Sequence, residues 1–382
     1  MRFLTAGESH GKGLTVIIEG LPAGLPLTED FIAHDLARRQ KGHGRGGRML
    51  IEKDVAEVRS GVRHGLTLGS PIALWIENKD WPNWTEAMSI SPAEGHPQRV
   101  TRLRPGHADL PGVLKYNQDD VRNILERASA RETTSRVAVG AISRRFLQEF
   151  GVQIHSQTVA IGGIYIASNT ALDWERVESS PVRCADSSSE QLMMKAIDNA
   201  KAAGDTVGGI FEVVGDGVPI GLGSHVHWDR RLDGIIARAF MSINAVKGVE
   251  IGAGFSQAAL PGSQVHDIIE PGQAWKRRTN HAGGLEGGMT NGEAVVVRAV
   301  VKPIATLGAP LPSVDLDTGE EVQAHFERSD VCQVPPAGVI GEAMLAIVLA
   351  DAMLEKFGGD HLTETRRNFD AYIKQLTRDF KS

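Results

Sequence analysis

Apolar residues recur at helical spacing in several stretches of this 382-residue chain. Within 133–150, Ala138, Ile142 and Phe146 stand at i, i+4 and i+8, so a helix with one buried face is predicted. Residues 28–40 read as a helix too: Glu29 and Asp30 open it, Ile32 and Leu36 lie four apart, Arg38 and Arg39 close it, and Gly42 follows. That order suits the helix dipole and a C-terminal cap. Similar patterns predict helices over 119–128, 190–203, 233–244, 339–357 and 363–380. Strands are predicted where β-branched residues run together: RFLT from Arg2, LTVIIE from Leu14, and residues 72–77, 210–214 and 294–301. Helices and strands alternate irregularly, which predicts a mixed α/β or α+β chain with sheets covered by helices.

Two turn motifs recur in the same order. Glu19-Gly20-Leu21-Pro22-Ala23-Gly24-Leu25 returns as Asp216-Gly217-Val218-Pro219-Ile220-Gly221-Leu222, each after a β-branched run. GLTLG from Gly65 is matched by GMTNG from Gly288, each before a strand-like run. The matches point to an internal duplication with halves of about 1–190 and 200–382; chance likeness of glycine-rich turns is the competing reading. No Pro/Ser-rich linker, charge block or low-complexity tract intervenes, so a single domain over 1–382 is expected. Glycine supplies 43 residues, about 11% against a usual ~7%, which implies many tight turns or close ligand approaches.

Charge and cysteine content narrow the function classes. With 41 Lys+Arg against 47 Asp+Glu the net charge is −6, so no whole-molecule field draws in nucleic acid or an anionic membrane. Cys184 and Cys332 cannot form a secreted-type disulfide framework and neither stands in a zinc spacing, so a reducing cytoplasm is the expected compartment. The start, MRFLTAGESHG, lacks an apolar signal core, and the most apolar run, 339–353, is interrupted by Glu342 and Asp351. No membrane partner is expected. His225, His227 and Asp229 are too few to assign a metal, and none is assigned.

Candidate chemistry lies in the loops. Gly7-Glu8-Ser9-His10-Gly11-Lys12-Gly13 comes within one residue of a P-loop, but Gly13 stands where a Ser or Thr should hold magnesium, and a strand follows. Both points argue against an NTPase. His10 suits an acid near neutral pH, with a plain hairpin turn as the alternative. RRQKGHGRGGR from Arg38 gathers cations without a carboxylate, so an anionic partner is expected. An RGG-type nucleic-acid loop is the rival, but it lacks interleaved aromatics. RPGHAD from Arg104 joins arginine, a Pro-Gly turn, His107 and Asp109. Arg127 and Arg131 flank small residues where a ligand can approach the next helix N-terminus; a Ser129 cap is the alternative. Gly283, Gly284, Gly287 and Gly288 can form a backbone nest, and residues 302–306 end a strand with a cation and a hydroxyl. Both suit a phosphate-bearing cofactor. Arg328 and Asp330 sit together at an element end. Combined, these residues describe a pocket for a small, multiply anionic substrate.

These blocks resemble the chorismate synthase family. The likeness is carried by GESHGKGLTVIIEGLP from Gly7, RRQKGHGRGGR from Arg38, RPGHAD from Arg104, RASARETTSRVAVG from Arg127 and INAVKGVEIG from Ile243. NHAGGLEGGMTNGE from Asn280, KPIATL from Lys302 and RSDVCQVPPAGVIGEAM from Arg328 complete it. Only the middle, about 151–201, and the last helix fall outside the likeness. The resemblance implies a carbon–oxygen lyase that converts 5-enolpyruvylshikimate 3-phosphate to chorismate and phosphate by 1,4-anti elimination, the seventh step of the shikimate pathway. It also implies an α+β fold, a layered β-α-β sandwich of antiparallel sheets and helices with internal duplication, a homotetramer, and dependence on reduced FMN. Implied substrate contacts are Ser9, Arg39, Arg45, Arg48, Arg104 and Arg131, with Arg39 and Arg45 also candidates for NADPH as flavin reductant. Implied FMN contacts are Arg127, Ala128, Ser129, Asn244, Ala245, Gly287, Lys302, Pro303, Ile304, Ala305, Thr306 and Arg328. His10 would give a proton to the departing phosphate and His107 would protonate the reduced flavin. Asp330, with flavin N5, would help remove the substrate hydrogen.

Overall fold

The computed structural model describes residues 1–46, 53–92, 98–167, 170–271, 275–327 and 329–376. The chain first builds β1 (Arg2–Ala6), β2 (Gly13–Glu19), α1 (Glu29–Gln40), β3 (Ala56–Ser60), a small hairpin of β4 (Val62–Arg63) and β5 (Leu66–Thr67), and β6 (Ile72–Glu77). Helices α2 (Asp109–Tyr116), α3 (Arg122–Ala128) and α4 (Thr133–Gln148) follow. It continues with β7 (Gln153–Ile161), β8 (Ile164–Tyr165), α5 (Trp174–Ser179), α6 (Ser187–Ala202), β9 (Gly209–Asp216), α7 (Leu232–Met241) and β10 (Val246–Ile251). Next come α8 (Gly262–Val265), a hairpin of β11 (Leu285–Glu286) and β12 (Met289–Thr290), and β13 (Val295–Val301). The pair β14 (Pro312–Val314) and β15 (Glu321–Gln323) precedes α9 (Val334–Phe357) and α10 (Leu362–Leu376).

This is a mixed helix-and-sheet fold with two main antiparallel sheets, ordered β1-β2-β6-β3 and β10-β13-β9-β7-β8. Alternation makes the first sheet one-sided: Leu14, Val16, Ile18, Ile72, Leu74 and Ile76 are buried, while Ile17 faces out. One hydrophobic cluster joins both sheets to α1, α4, α7 and α9. Helix α9 is apolar all round because it is enclosed, packing on β7 and β9 and against α1, α4 and α7. It is the one described helix long and apolar enough to cross a membrane, and it lies in the core. It crosses α4 at Gly140, where an added Cβ would stand 2.2 Å from that of Ala343.

Two elements differ from the periodicity. Helix α9 starts at Val334, before the expected residue 339, because Pro335 and Pro336 occupy its first turn, where no N–H is needed. Helix α2 was hidden by Pro111 and Gly112; the glycine lets α2 approach α3, since a Cβ there would meet Ile124 at 2.3 Å. The recurring turn motifs form the same bonds. Thr67 Oγ1 donates to Pro22 O (2.7 Å) and accepts from Leu25 N (2.9 Å), while Thr290 Oγ1 donates to Pro219 O (2.6 Å) and accepts from Leu222 N (2.8 Å). The expected boundary near 190–200 would divide the second sheet, because β7 pairs with β9.

Candidate active site

Loops from both parts of the chain bound a cavity of about 450 Å³. The β1–β2 loop brings Ser9 and His10 to it, α1 and the segment after it bring Arg39 and Arg45, and the approach to α2 brings Arg104 and His107. The break between α3 and α4 adds Ala128, Ser129 and Arg131, and the α7–β10 turn adds Asn244 and Ala245. Lys302, Pro303, Ile304, Ala305 and Thr306 follow β13, and Asp330 precedes α9. Arg48 and Arg328 lie outside the described residues. Arg127 and Gly287 are not on this wall. Arg127 ties the end of α3 to the first loop, donating to Thr5 O (2.9 Å), Thr5 Oγ1 (2.7 Å) and Gly7 O (3.0 Å). Gly287 turns the β11–β12 hairpin with nothing within 4 Å of an added Cβ.

Each histidine is held at Nδ1 by a buried carboxylate. His10 Nδ1 lies 2.9 Å from Glu126 Oε1, and the His10 backbone N–H donates to Glu126 Oε2 at 2.8 Å. The ring stacks on Trp84 with centroids 3.8 Å apart. Burial works against the Glu126 carboxylate, but hydrogen bonds and charge from His10, with the Arg122 charge, outweigh it and hold the group below its ordinary range. His107 Nδ1 lies 2.6 Å from Asp109 Oδ1. Arg104 grips the same carboxylate through Nε to Oδ2 (2.8 Å) and Nη2 to Oδ1 (3.0 Å). Asp109 is likewise depressed: its burial is overcome by bonds from His107 and Arg104.

Arg39 is packed tightly enough to disfavour its own charge. Arg39 donates from Nη2 to Ala130 O (2.8 Å) and Thr133 Oγ1 (2.9 Å). Burial chiefly, with Arg45 and Arg131 nearby, pulls its guanidinium below the usual value, and Asp54 opposes that shift. An incoming anion would relieve this repulsion. Arg131 pairs with Asp54 and reaches Asn78 Oδ1 through Nη2 at 2.8 Å; Arg45 pairs with Asp330. The cationic run expected to lack any carboxylate is therefore partly balanced from distant parts of the chain. Arg38 is outside the cavity, paired with Glu342, Glu178 and Asp35.

Four contributors were not singled out from sequence: Asp54, Asn78, Trp84 and Glu126. Asn78 is the most informative, because its Nδ2 donates to Glu8 O (3.2 Å), Ser9 O (3.2 Å) and Gly11 O (2.6 Å) while Oδ1 accepts from Arg131. Its only sequence signal is its place directly after a strand. In the α7–β10 turn, Asn244 Nδ2 donates to Ala128 O at 3.1 Å, while its Oδ1 is buried without a hydrogen-bond partner. Ala245 beside it has φ 66, a conformation that side chains rarely adopt. A buried acceptor in a cavity also lined by Ala128, Ser129, Ala245 and the Lys302 ammonium fits a phosphate-bearing ring cofactor that carries N–H donors.

A chorismate synthase family model matches residues 1–354. The chain is 58% identical over 381 residues to a chorismate synthase of Moorella thermoacetica, covering 98% of this chain and 99% of that one. It is 56% identical over 393 residues to one of Aquifex aeolicus, covering 98% of each. A crystal structure of chorismate synthase is 47% identical, covers 98% of both chains and superposes with a TM-score of 0.79.

Proposed function

The chain belongs to the chorismate synthase family, and on that premise we propose how its own residues carry the family reaction. That reaction is the elimination of phosphate from 5-enolpyruvylshikimate 3-phosphate to give chorismate, catalysed by a lyase that depends on reduced FMN. The observation that carries the reading is the convergence of Arg39, Arg45, Arg104, Arg131, His10 and His107 on one cavity. Four guanidiniums match a substrate with one phosphate and two carboxylates, fix its orientation and offset charge growing on the leaving group. Arg48 joins them in this reading, and Ser9 supplies a hydroxyl beside His10.

His10 donates the proton that the departing phosphate takes up, and the proton leaves from Nε2 because Nδ1 faces Glu126. His107 holds a proton at Nε2 beside the residues assigned to FMN, its Nδ1 being tied to Asp109. Asp330 is the carboxylate assigned to hydrogen removal, and the Gly46 N–H fixes its Oδ1 at 2.7 Å. The FMN site consists of Ala128, Ser129, Asn244, Ala245 and residues 302–306, extended by Arg127, Gly287 and Arg328. Held by these residues, reduced FMN would supply the electron density that eases cleavage of the allylic C–O bond. Support comes from the unpartnered Asn244 acceptor and from Lys302, whose Nζ reaches Gly106 O at 2.5 Å in the loop that carries His107. Arg39 and Arg45 are also the proposed contacts for NADPH as reductant, which anaerobic NADPH-dependent bleaching of bound flavin would test.

An anaerobic assay with chemically reduced, saturating FMN tests the assignment through chorismate absorbance. His10→Ala and His107→Ala should each lower turnover roughly 10²-fold or more. Near-normal turnover in both variants would refute it.

We further propose one cytoplasmic domain, a layered β-α-β sandwich in which α1, α4, α7 and α9 lie between the sheets, arisen by duplication. The matching orders β1-β2-β6-β3 and β7-β9-β13-β10 support the duplication and favour a junction near residue 152. Free Cys184 and Cys332 agree with a reducing compartment. The homotetramer is supported by the paired, outward-facing Leu4 and Ile17 of the first sheet, and light scattering would test it.

A further inference from the structure

The two cavity histidines are mounted in the same way. His10 is backed by Glu126, which Arg122 Nη1 holds at 2.9 Å, and His107 is backed by Asp109, which Arg104 holds through Nε and Nη2. Both carboxylates are sequestered, with side-chain exposures of 2% and 0%, whereas both imidazoles reach the cavity. We propose that Glu126 is the positioning residue of His10, orienting the imidazole and fixing its tautomer for proton delivery. The inference rests on the reading of His10 as proton donor.

A carboxylate is an acceptor only, so the Nδ1 it contacts must carry the hydrogen. The reacting proton then resides on Nε2, the nitrogen away from Glu126. When the imidazolium gives up that proton, the Nε2–H bond breaks, an O–H bond forms on the departing phosphate, and neutral imidazole keeps the Nδ1 proton bonded to Glu126. Trp84 stacks on one face of the ring. The Glu126 contact to the His10 backbone N–H fixes the loop as well as the ring. Among the described residues, the charged groups around His10 are Glu126 and Arg122 on α3, Glu327 with its partner His325 before α9, and Asp80, which accepts from Trp84 Nε1 at 2.9 Å. Of these, Glu126 is the one in direct contact with the Nδ1 proton.

Glu126→Gln keeps the shape and removes the charge. Turnover would be followed against pH, anaerobically, with saturating substrate and chemically reduced FMN. The expected result is a kcat lowered roughly 10- to 100-fold with KM little changed. The alkaline limb of the profile should move to lower pH, because a neutral amide replaces the anion at Nδ1. A merely structural role would lower activity at every pH and leave the limb in place. An unshifted limb with near-normal kcat overturns the proposal. Normal Glu126→Gln activity beside an inactive His10→Ala sinks the positioning role alone, while an active His10→Ala sinks the proton-donor reading on which it rests. Should Glu126→Gln fail to fold, nitrogen-15 spectra of the unmodified protein decide: a neutral His10 protonated at Nδ1 supports the role, and one protonated at Nε2 overturns it. Asp109→Asn is the less clean probe, since Asp109 also holds Arg104.

Discussion

Replacing Glu342 by Gln should destabilise the fold by about 3 kcal/mol, although the residue touches nothing in the cavity. Glu342 lies fully buried in the middle of α9. Arg38 grips it bidentately at 2.7 and 2.9 Å, Arg183 reaches Oε1 at 3.1 Å, Arg144 pairs with Oε2, and Ser156 Oγ donates at 2.6 Å. Three arginines face three carboxylates here, Asp35 and Glu178 being the others. Removing one partner of a buried pair costs ~3–5 kcal/mol, because the remaining charge loses compensation without regaining water. The two remaining carboxylates place Glu342→Gln toward the lower end. Urea unfolding followed by tryptophan fluorescence, at fixed protein concentration, should show a lower midpoint with unchanged slope. A loss below about 1 kcal/mol would refute the reasoning, because the cluster would then be as inconsequential as a surface pair. The acid response follows from the same bonds. Burial opposes ionisation of Glu342, but Arg38, Arg144 and Arg183 overcome it and depress the carboxyl below its ordinary value near 4.5. Glu178, also burdened by burial, is lowered to about 2 by Arg38 and Arg183. Carboxyls depressed in the folded state contribute stability that is complete above their unfolded values and lost as pH falls toward the folded ones. The midpoint should therefore drop as pH falls below about 4.5, and less steeply in Glu342→Gln.

Asn78→Ala leaves three loop carbonyls and Arg131 without its amide, and should cost about 2–4 kcal/mol in urea while lowering kcat more than FMN affinity. Thr67→Val and Thr290→Val each remove two equivalent bonds, so their losses should be alike, about 1–3 kcal/mol apiece; a loss confined to one of them would count against duplicated roles. Lys302→Ala should weaken FMN binding roughly 10-fold in a flavin fluorescence titration. Unchanged affinity would remove Lys302 from the cofactor site.

What the sequence revealed follows the range of each interaction. Periodicity located α4 because Ala138, Ile142 and Phe146 all face one core. It missed α2, whose Pro111 and Gly112 look like a turn until Ile124 is seen filling the space beside the glycine. The motif blocks exposed the cationic and imidazole groups because these lie in short, unusual strings. Their partners stayed hidden because each is brought in from elsewhere: Glu126 lies 116 residues from His10, and Asp330 lies 285 from Arg45. Loose charge counting along residues 38–48 failed for the same reason, since Glu342 stands 304 residues from Arg38.

Under the proposed pairing of halves, the cavity draws on matching places in each. The segment after α1 provides Arg45, and the corresponding turn after α7 provides Asn244 and Ala245. Asp80 and Trp84 follow β6 as Lys302 and Thr306 follow β13, and Ser129 and Arg131 precede α4 as Ser329 and Asp330 precede α9. The scaffold repeats, but the side chains do not: the first half presents the guanidiniums, both histidines and the small residues Ala128 and Ser129, while the second presents an unpartnered amide oxygen, an ammonium and the Asp330 carboxylate. Under the assignment proposed above, a substrate gripped by guanidinium forks and a cofactor seated on backbone and small side chains would lie side by side in this cavity. Helices α4 and α9 carry the segments that bear Arg131 and Asp330 at their starts, and they meet at Gly140, where an added Cβ would stand 2.2 Å from that of Ala343. Gly140→Ala should separate the helices and lower kcat/KM even where the fold survives, whereas Gly151→Ala, at a position open to solvent, should cost only local backbone strain and leave kcat/KM unchanged.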